Sequence, residues 1–203
     1  MVTAMLKFSR RTKIILAFVG IVALGYAVVL MTQGKGGVPQ EFTDARLQGA
    51  VIAQNIVNLS NQSTADLVQV NVLDEKRDYV NALALATNLV TQSQDIRDQA
   101  VALSSQIGEM TKSLSGISDF NARQAALESI SLRLALINQL INYSADLSRL
   151  EDALQARFAG TSAASPAEVA ALVNQINTDV NAINNFNSQA GQAMDRFDGI
   201  VGK

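Results

Sequence analysis

Two residue types that carry much of enzyme chemistry are missing from this chain, which has no cysteine and no histidine among its 203 residues. Without cysteine there is no disulfide, thiolate metal site or thiol nucleophile. Without histidine the chain lacks the commonest general base, the commonest metal ligand and the usual switch near neutral pH. The Glu-x-x-His pairs that hold two metal ions in some four-helix bundles are therefore excluded. We expect a protein that is not an enzyme and that needs no cofactor.

Paired carboxyl groups could still support catalysis, so the acidic residues within the helical segments need an interpretation. The candidates are Asp95, Glu109, Asp146 and Glu151. Each lies among polar neighbours at helical spacing, a pattern typical of a solvent-facing helix surface. We interpret all four as solvated surface residues and predict no catalytic pair.

The sequence is also poor in aromatic residues, which make up 5% of the chain, and it has only two prolines and no tryptophan. Hydrophobic residues still reach 48%, and most of them are Ala, Leu, Ile and Val. This mixture favours long helices, because a sheet would need more aromatic and β-branched residues. The composition predicts an all-α protein.

Positive charge is concentrated at the N-terminus. Residues 1–13 contain Lys7, Arg10, Arg11 and Lys13 and no acidic residue, whereas the rest of the chain has 12 basic and 18 acidic residues. Basic residues that precede an apolar segment determine membrane topology and favour a cytoplasmic N-terminus. The remaining basic residues are scattered over a mildly acidic domain, which argues against nucleic acid as a partner.

Residues 14–31 form an apolar run of 18 residues without a single charge. As a helix this run would span about 27 Å, which is close to the thickness of the bilayer hydrocarbon. We expect a single-pass anchor in the cell membrane, with the bulk of the chain outside the cytoplasm. The alternative is a cleaved signal peptide, for which Gly25 and Ala27 offer small residues at suitable spacing on either side of Tyr26. The apolar run continues beyond them to Met31, which favours the anchor.

The glycine-rich residues 32–40 cannot continue a membrane helix and predict a short tether. Residues 41–198 then show helical spacing, and residues 199–203 form a C-terminal tail. Four segments with apolar residues at steps of three and four predict four helices. Their bounds are residues 40–73, 75–114, 120–158 and 166–198. Ser165, Pro166 and Glu168 provide the strongest helix-start signal.

The apolar pattern differs among the four segments. The pattern of the first segment weakens around residues 61–66, where Ser63 or Thr64 could cap a second helix. The segment therefore forms either one helix or two. The second runs from Tyr79 to Ile117 without a slip, which is typical of coiled-coil-like packing. The third carries two adjacent seams and therefore predicts a helix with two neighbours. These seams are Leu127, Ile130, Leu134, Ile137, Ile141 and Ser144, and Leu136, Leu140, Tyr143, Leu147, Leu150 and Leu154.

Short connections between helices of similar length predict an antiparallel, up-down four-helix bundle with coiled-coil-like packing. The alternative is a longer coiled coil that needs a second chain to bury the second segment. The two wide seams of the third segment favour a bundle formed by one chain.

Amide side chains are frequent, with 15 asparagines and 16 glutamines. A group in the fourth segment could hydrogen-bond a partner or ligand, although amides also keep a helix surface soluble without charge. The candidate interaction face consists of five asparagines, Asn174, Asn177, Asn181, Asn184 and Asn185.

Together these features indicate a non-catalytic protein of the cell envelope, anchored in the lipid bilayer, with a structural or protein-interaction role. Its partner would be another protein or a second copy, bound through a helical face. The alternative is a ligand-binding sensory or accessory module, which would need a separate signalling partner to carry a signal across the membrane.

Overall fold

The computed structural model describes residues 37–158 and 166–202. Four long helices account for nearly all of them, and these two ranges contain no strand. The helices are α1 (Gln40–Lys76), α2 (Tyr79–Ser113), α3 (Phe120–Phe158) and α4 (Pro166–Val201), and a single 3-10 turn, Leu114–Gly116, follows α2. The prediction of an all-α protein is confirmed.

Local sequence explains where α1 ends and α2 begins. Arg77 closes α1 in the left-handed conformation, with φ 61°, and its backbone N–H donates to Asp74 O and Leu73 O. Asp78 then precedes α2 and accepts a hydrogen bond from the backbone N–H of Asn81. Of the charged residues 74–78, the first three therefore form the end of α1, and Arg77 and Asp78 form the turn before α2.

The next helices also begin where the sequence predicts. The carboxylate of Asp119 accepts a hydrogen bond of 2.8 Å from the backbone N–H of Ala122 and so caps α3. Helix α4 begins at Pro166, where the fixed φ of proline suits the first helical position. It continues to Val201, so that residues 199–201 are helical rather than a separate tail.

Consecutive helices are antiparallel and pack along their lengths, α1 on α2, α2 on α3 and α3 on α4. At one end of the molecule α4 returns to α1. There Arg46 donates two hydrogen bonds of 2.7 Å to the carboxylate of Asp198, and the rings of Phe42 and Phe197 lie 5.3 Å apart. These two contacts, which we call the α1–α4 clamp, join the last helix to the first.

Helix α1 is continuous, so the open question between one helix and two is resolved. Ser63 does not cap a second helix; its hydroxyl donates a hydrogen bond of 2.8 Å to the Gln92 side chain on α2. The seam of α2 is buried as predicted from Ala82 to Ile117. Tyr79 at its start is instead 41% exposed and stacks on Phe158 at 6.0 Å.

The prediction for α3 is wrong at two seam positions. Leu127 and Leu134 are 49% and 47% exposed, whereas Ile130 and Ile137 of the same seam are buried. The second seam, from Leu136 to Leu154, is buried throughout. The apolar face of α3 is wider than its two neighbours cover, so its outer edge faces solvent.

Among the described residues no helix has an apolar stretch long enough to cross a membrane. The predicted anchor, residues 14–31, lies outside these residues, as do the basic residues Lys7, Arg10, Arg11 and Lys13.

Candidate functional site

A cavity of about 80 Å³ lies in the middle of the bundle, and all four helices contribute to its wall. Most of its lining is aliphatic, for example Ala53, Val57, Leu103, Leu140, Val180 and Ile183. Small side chains on α1, including Ala50 and Ala53, leave this space where larger residues would fill it. A cavity of this kind, mostly apolar with a few polar groups, is a candidate site for a small molecule.

Five polar residues complete the wall, and none of the lining side chains is charged. Gln54, Asn184 and Asn187 are half-buried, whereas Ser60 and Tyr143 are buried. Burial raises the pKa of Tyr143 to about 12, against a smaller opposing effect of the neighbouring Ser60 hydroxyl. Tyr143 therefore stays neutral at physiological pH and keeps its O–H proton as a donor.

The mouth of the cavity lies between α1 and α4. The half-buried lining residues all belong to these two helices, whereas those on α2 and α3 are buried. Few Cα atoms of α1 and α4 come within 8 Å of each other, in contrast to the consecutive helix pairs. The α1–α4 interface is therefore less closely packed than the interfaces between consecutive helices, and it borders the cavity.

The structure divides the candidate interaction face on α4. Asn174, Asn181 and Asn185 are exposed, as a binding surface requires. Asn184 instead lines the cavity. Asn177 is half-buried, and its Oδ1 atom is enclosed without a hydrogen-bond partner. The five asparagines therefore do not form one surface.

One predicted surface carboxyl group is in the core. Glu151 is 0% exposed; its Oε2 atom lies 3.4 Å from the Ser93 hydroxyl, and its Oε1 atom has no hydrogen-bond partner. Burial raises the pKa of this carboxyl group to about 8, so most molecules carry it protonated at neutral pH. The interpretation of Glu151 as a solvated residue is wrong, because it follows Leu147 by one helical turn on the buried face.

A second buried carboxyl group joins α3 and α4. Asp179 is 1% exposed, and its Oδ1 atom accepts hydrogen bonds from Gln139 at 2.6 Å and Gln175 at 3.1 Å. Burial raises the pKa of Asp179, and the adjacent carboxyl group of Asp146 raises it further. Asp146 is itself buried and accepts a hydrogen bond of 2.9 Å from Arg149.

The expectation of a solvated Asp146 is therefore also wrong, whereas Asp95 and Glu109 are exposed as predicted. The reason is the same as for Glu151, since Asp146 lies next to the buried Leu147 at the interface with α4. The buried acids do not line the cavity, so its wall offers no acid–base pair. In the described ranges no three acidic side chains converge as a metal site would require.

An apolar surface runs along the outer side of α3. Phe120, Leu127 and Leu134 are spaced by seven residues and are 66%, 49% and 47% exposed. Residues seven apart lie on the same side of a helix, at two turns' distance. The guanidinium of Arg123 covers part of Phe120, 5.9 Å from the ring centre. We call these three residues the α3 stripe.

Comparisons with protein-family models, with curated proteins and with solved structures find no match for this chain. The geometry of the cavity and of the α3 stripe is therefore the basis for a functional assignment.

Proposed function

We propose that this protein is a non-catalytic interaction module, anchored in the cell membrane by residues 14–31, with its helical domain outside the cytoplasm. The uncharged run and the four basic residues before it support the anchor and its orientation. The α3 stripe supports the interaction role and is the observation on which the proposal depends.

The size and spacing of the α3 stripe fit a partner helix. Fully burying a large apolar side chain contributes about 1.5–3 kcal/mol, so covering three half-exposed ones would contribute roughly 3 kcal/mol in total. A seven-residue spacing is the repeat by which two helices stay in contact in a coiled coil. Confinement of both partners to one membrane would raise their effective concentration, so a modest contact would suffice.

The interaction is tested by photo-crosslinking of the full chain in cells. A photoreactive residue replaces Leu127 or Leu134 in the α3 stripe, and a control replaces Asp95, which is exposed on α2. We expect the two stripe positions to yield one recurrent product, either a second copy or another protein identified by mass spectrometry. Equal yields at the stripe and at position 95 would contradict the proposal.

Two further positions test the candidate amide face. The same photoreactive residue replaces Asn174 or Asn181, both of which are exposed. If the amide face contributes to the interface, these positions give the same partner as the α3 stripe. If they match the control at position 95, the interface is restricted to α3.

The proposed topology can be tested with a single introduced cysteine, because the native chain has none. Asp95→Cys places a thiol on an exposed position of α2. A membrane-impermeant thiol reagent should label it in intact cells, whereas a cysteine introduced at Thr12 should react only after lysis. The reverse labelling pattern would contradict the orientation.

A second candidate function, a ligand-binding sensory or accessory module that acts with a separate signalling partner, is favoured by the cavity. Its wall combines apolar residues from all four helices with a few polar groups, as is typical of small-molecule sites. A ligand between α1 and α4 would change how these helices pack, and a partner on the outer surface could respond to that change.

A further inference from the structure

We propose that the cavity between α1 and α4 binds a neutral amphipathic molecule, with a short aliphatic chain inside and a hydroxyl, carbonyl or ester group at the mouth. This inference rests on the second candidate function and specifies its ligand. It does not involve the α3 stripe, which lies on the outer side of α3. Failure of one proposal therefore leaves the other intact.

The wall of the cavity excludes a charged ligand. No lining residue is acidic or basic, so an ion would lose its hydration without gaining a countercharge. The buried carboxyl groups of Glu151 and Asp179 are not among the lining residues and offer no charge inside the cavity. A neutral molecule meets no such cost.

The aliphatic part of the ligand follows from the depth of the cavity. Leu103, Leu140 and Val180 line part of a space of about 80 Å³, which is larger than a single water molecule needs. The aliphatic part of the wall offers a water molecule no hydrogen-bond partner, whereas a buried water needs two to four. A short alkyl chain would fill the space and restore the dispersion contacts that the lining atoms lack.

The polar part of the ligand follows from the mouth. Gln54 on α1 and Asn184 and Asn187 on α4 line the cavity and are half-buried, and Gln54 also donates a hydrogen bond of 3.2 Å to the Asn58 side chain. Each amide has both donors and an acceptor, so together they can pair with a hydroxyl, a carbonyl or an ester. The Ser60 and Tyr143 hydroxyls offer a second polar contact deeper in the wall.

The chain inside the cavity could come from a diffusible alcohol or ester, or from the acyl chain of a membrane lipid. The probe is an aliphatic alcohol that carries a diazirine. The full chain in detergent is photolabelled with this probe, once with added lipid and once without. Adducts are mapped by mass spectrometry. We expect them at lining residues such as Val57, Leu140 and Ile183. Labelling under both conditions supports a diffusible ligand, and labelling only without lipid supports a bound lipid chain.

Variants that fill the cavity provide the decisive comparison. Ala53→Leu places three more carbon atoms in the wall and should reduce labelling of the lining by at least about tenfold. Ala102→Leu is the matched control, because Ala102 is also half-buried but lies outside the cavity wall. Its labelling should equal that of the wild type.

Val57→Leu adds one carbon atom at a half-buried position, so it tests the proposal even if Ala53→Leu fails to fold. It should reduce labelling about fourfold. The proposal is overturned if adducts show no concentration at the cavity with or without lipid. It is also overturned if a folded cavity-filling variant is labelled as strongly as the wild type.

Discussion

Replacing Glu151 with glutamine should stabilise the protein at neutral pH and remove most of its loss of stability between mildly acidic and mildly basic pH. The carboxyl group is 0% exposed, and burial raises its pKa from 4.5 to about 8. Below the lower value both the folded and the unfolded states bind the proton. Above it the unfolded state releases the proton while the folded state retains it, so unfolding becomes more favourable as pH rises.

The magnitude follows from the same two pKa values. Each pH unit between them lowers the free energy of unfolding by about 1.36 kcal/mol, which amounts to roughly 3 kcal/mol at pH 7. The loss levels off near the folded-state pKa of about 8. Glutamine does not ionise and avoids this loss, although its amide N–H groups would lack full partners at a cost of about 1 kcal/mol. The expected net gain at pH 7 is about 2 kcal/mol.

The assay is urea unfolding of the full chain, followed by far-UV circular dichroism between about pH 5 and about pH 8. The wild type should lose stability steadily across this range, and Glu151→Gln should show a much flatter profile. Glu109→Gln is the matched control, because Glu109 is exposed on α2 and forms only a surface pair with Lys112. Parallel profiles for wild type and Glu151→Gln would refute the assignment of a buried, protonated carboxyl group.

Three further predictions concern the outer surface, the α1–α4 clamp and the core. Leu134→Gln should change the free energy of unfolding by less than about 0.5 kcal/mol in urea titrations, because the side chain is already half-exposed. The same substitution should abolish crosslinking from a photoreactive residue at position 127. Arg46→Ala should lower the free energy of unfolding by about 2–3 kcal/mol, since the partly buried carboxylate of Asp198 would lose a bidentate partner. A double-mutant cycle with Asp198→Ala should show positive coupling between the two substitutions. Independent effects would contradict the clamp. Leu89→Ala in the core should lower the free energy of unfolding by about 2–5 kcal/mol, whereas Val80→Ala at an exposed position should lower it far less. Similar losses for the two variants would contradict the packing of α2.

The helices could be predicted from sequence because each encodes its own periodicity and ends. The apolar residues of α2 lie on one side of the helix and so define the side that faces the core. Asp119 marks the start of α3, and Ser165 and Pro166 mark the start of α4. The same periodicity also indicates a buried position at Glu151. This residue occurs one turn after Leu147 and three residues before Leu154, both in the buried seam. Because glutamate is charged in water at neutral pH, its residue type predicts a surface position, whereas its spacing indicates a buried one.

The exposure of Leu127 and Leu134 could not be predicted in the same way. A sequence shows how wide an apolar face is, but the number of helices that cover it depends on the whole assembly. The cavity has the same limitation. Gln54 and Ser60 on α1 are far in sequence from Asn184 on α4, and they meet it only through the register of α1 against α4.

The α1–α4 clamp also determines when the bundle is complete during synthesis. Arg46 and Asp198 are 152 residues apart, so the salt bridge must wait until almost the last turn of α4 has been made. Until then α1, α2 and α3 present an apolar face that only α4 covers, and the cavity lacks the wall that holds Val180 and Ile183. A ribosome that stalls within α4 would therefore release a chain with an unprotected core, the kind of intermediate that chaperones and proteases recognise.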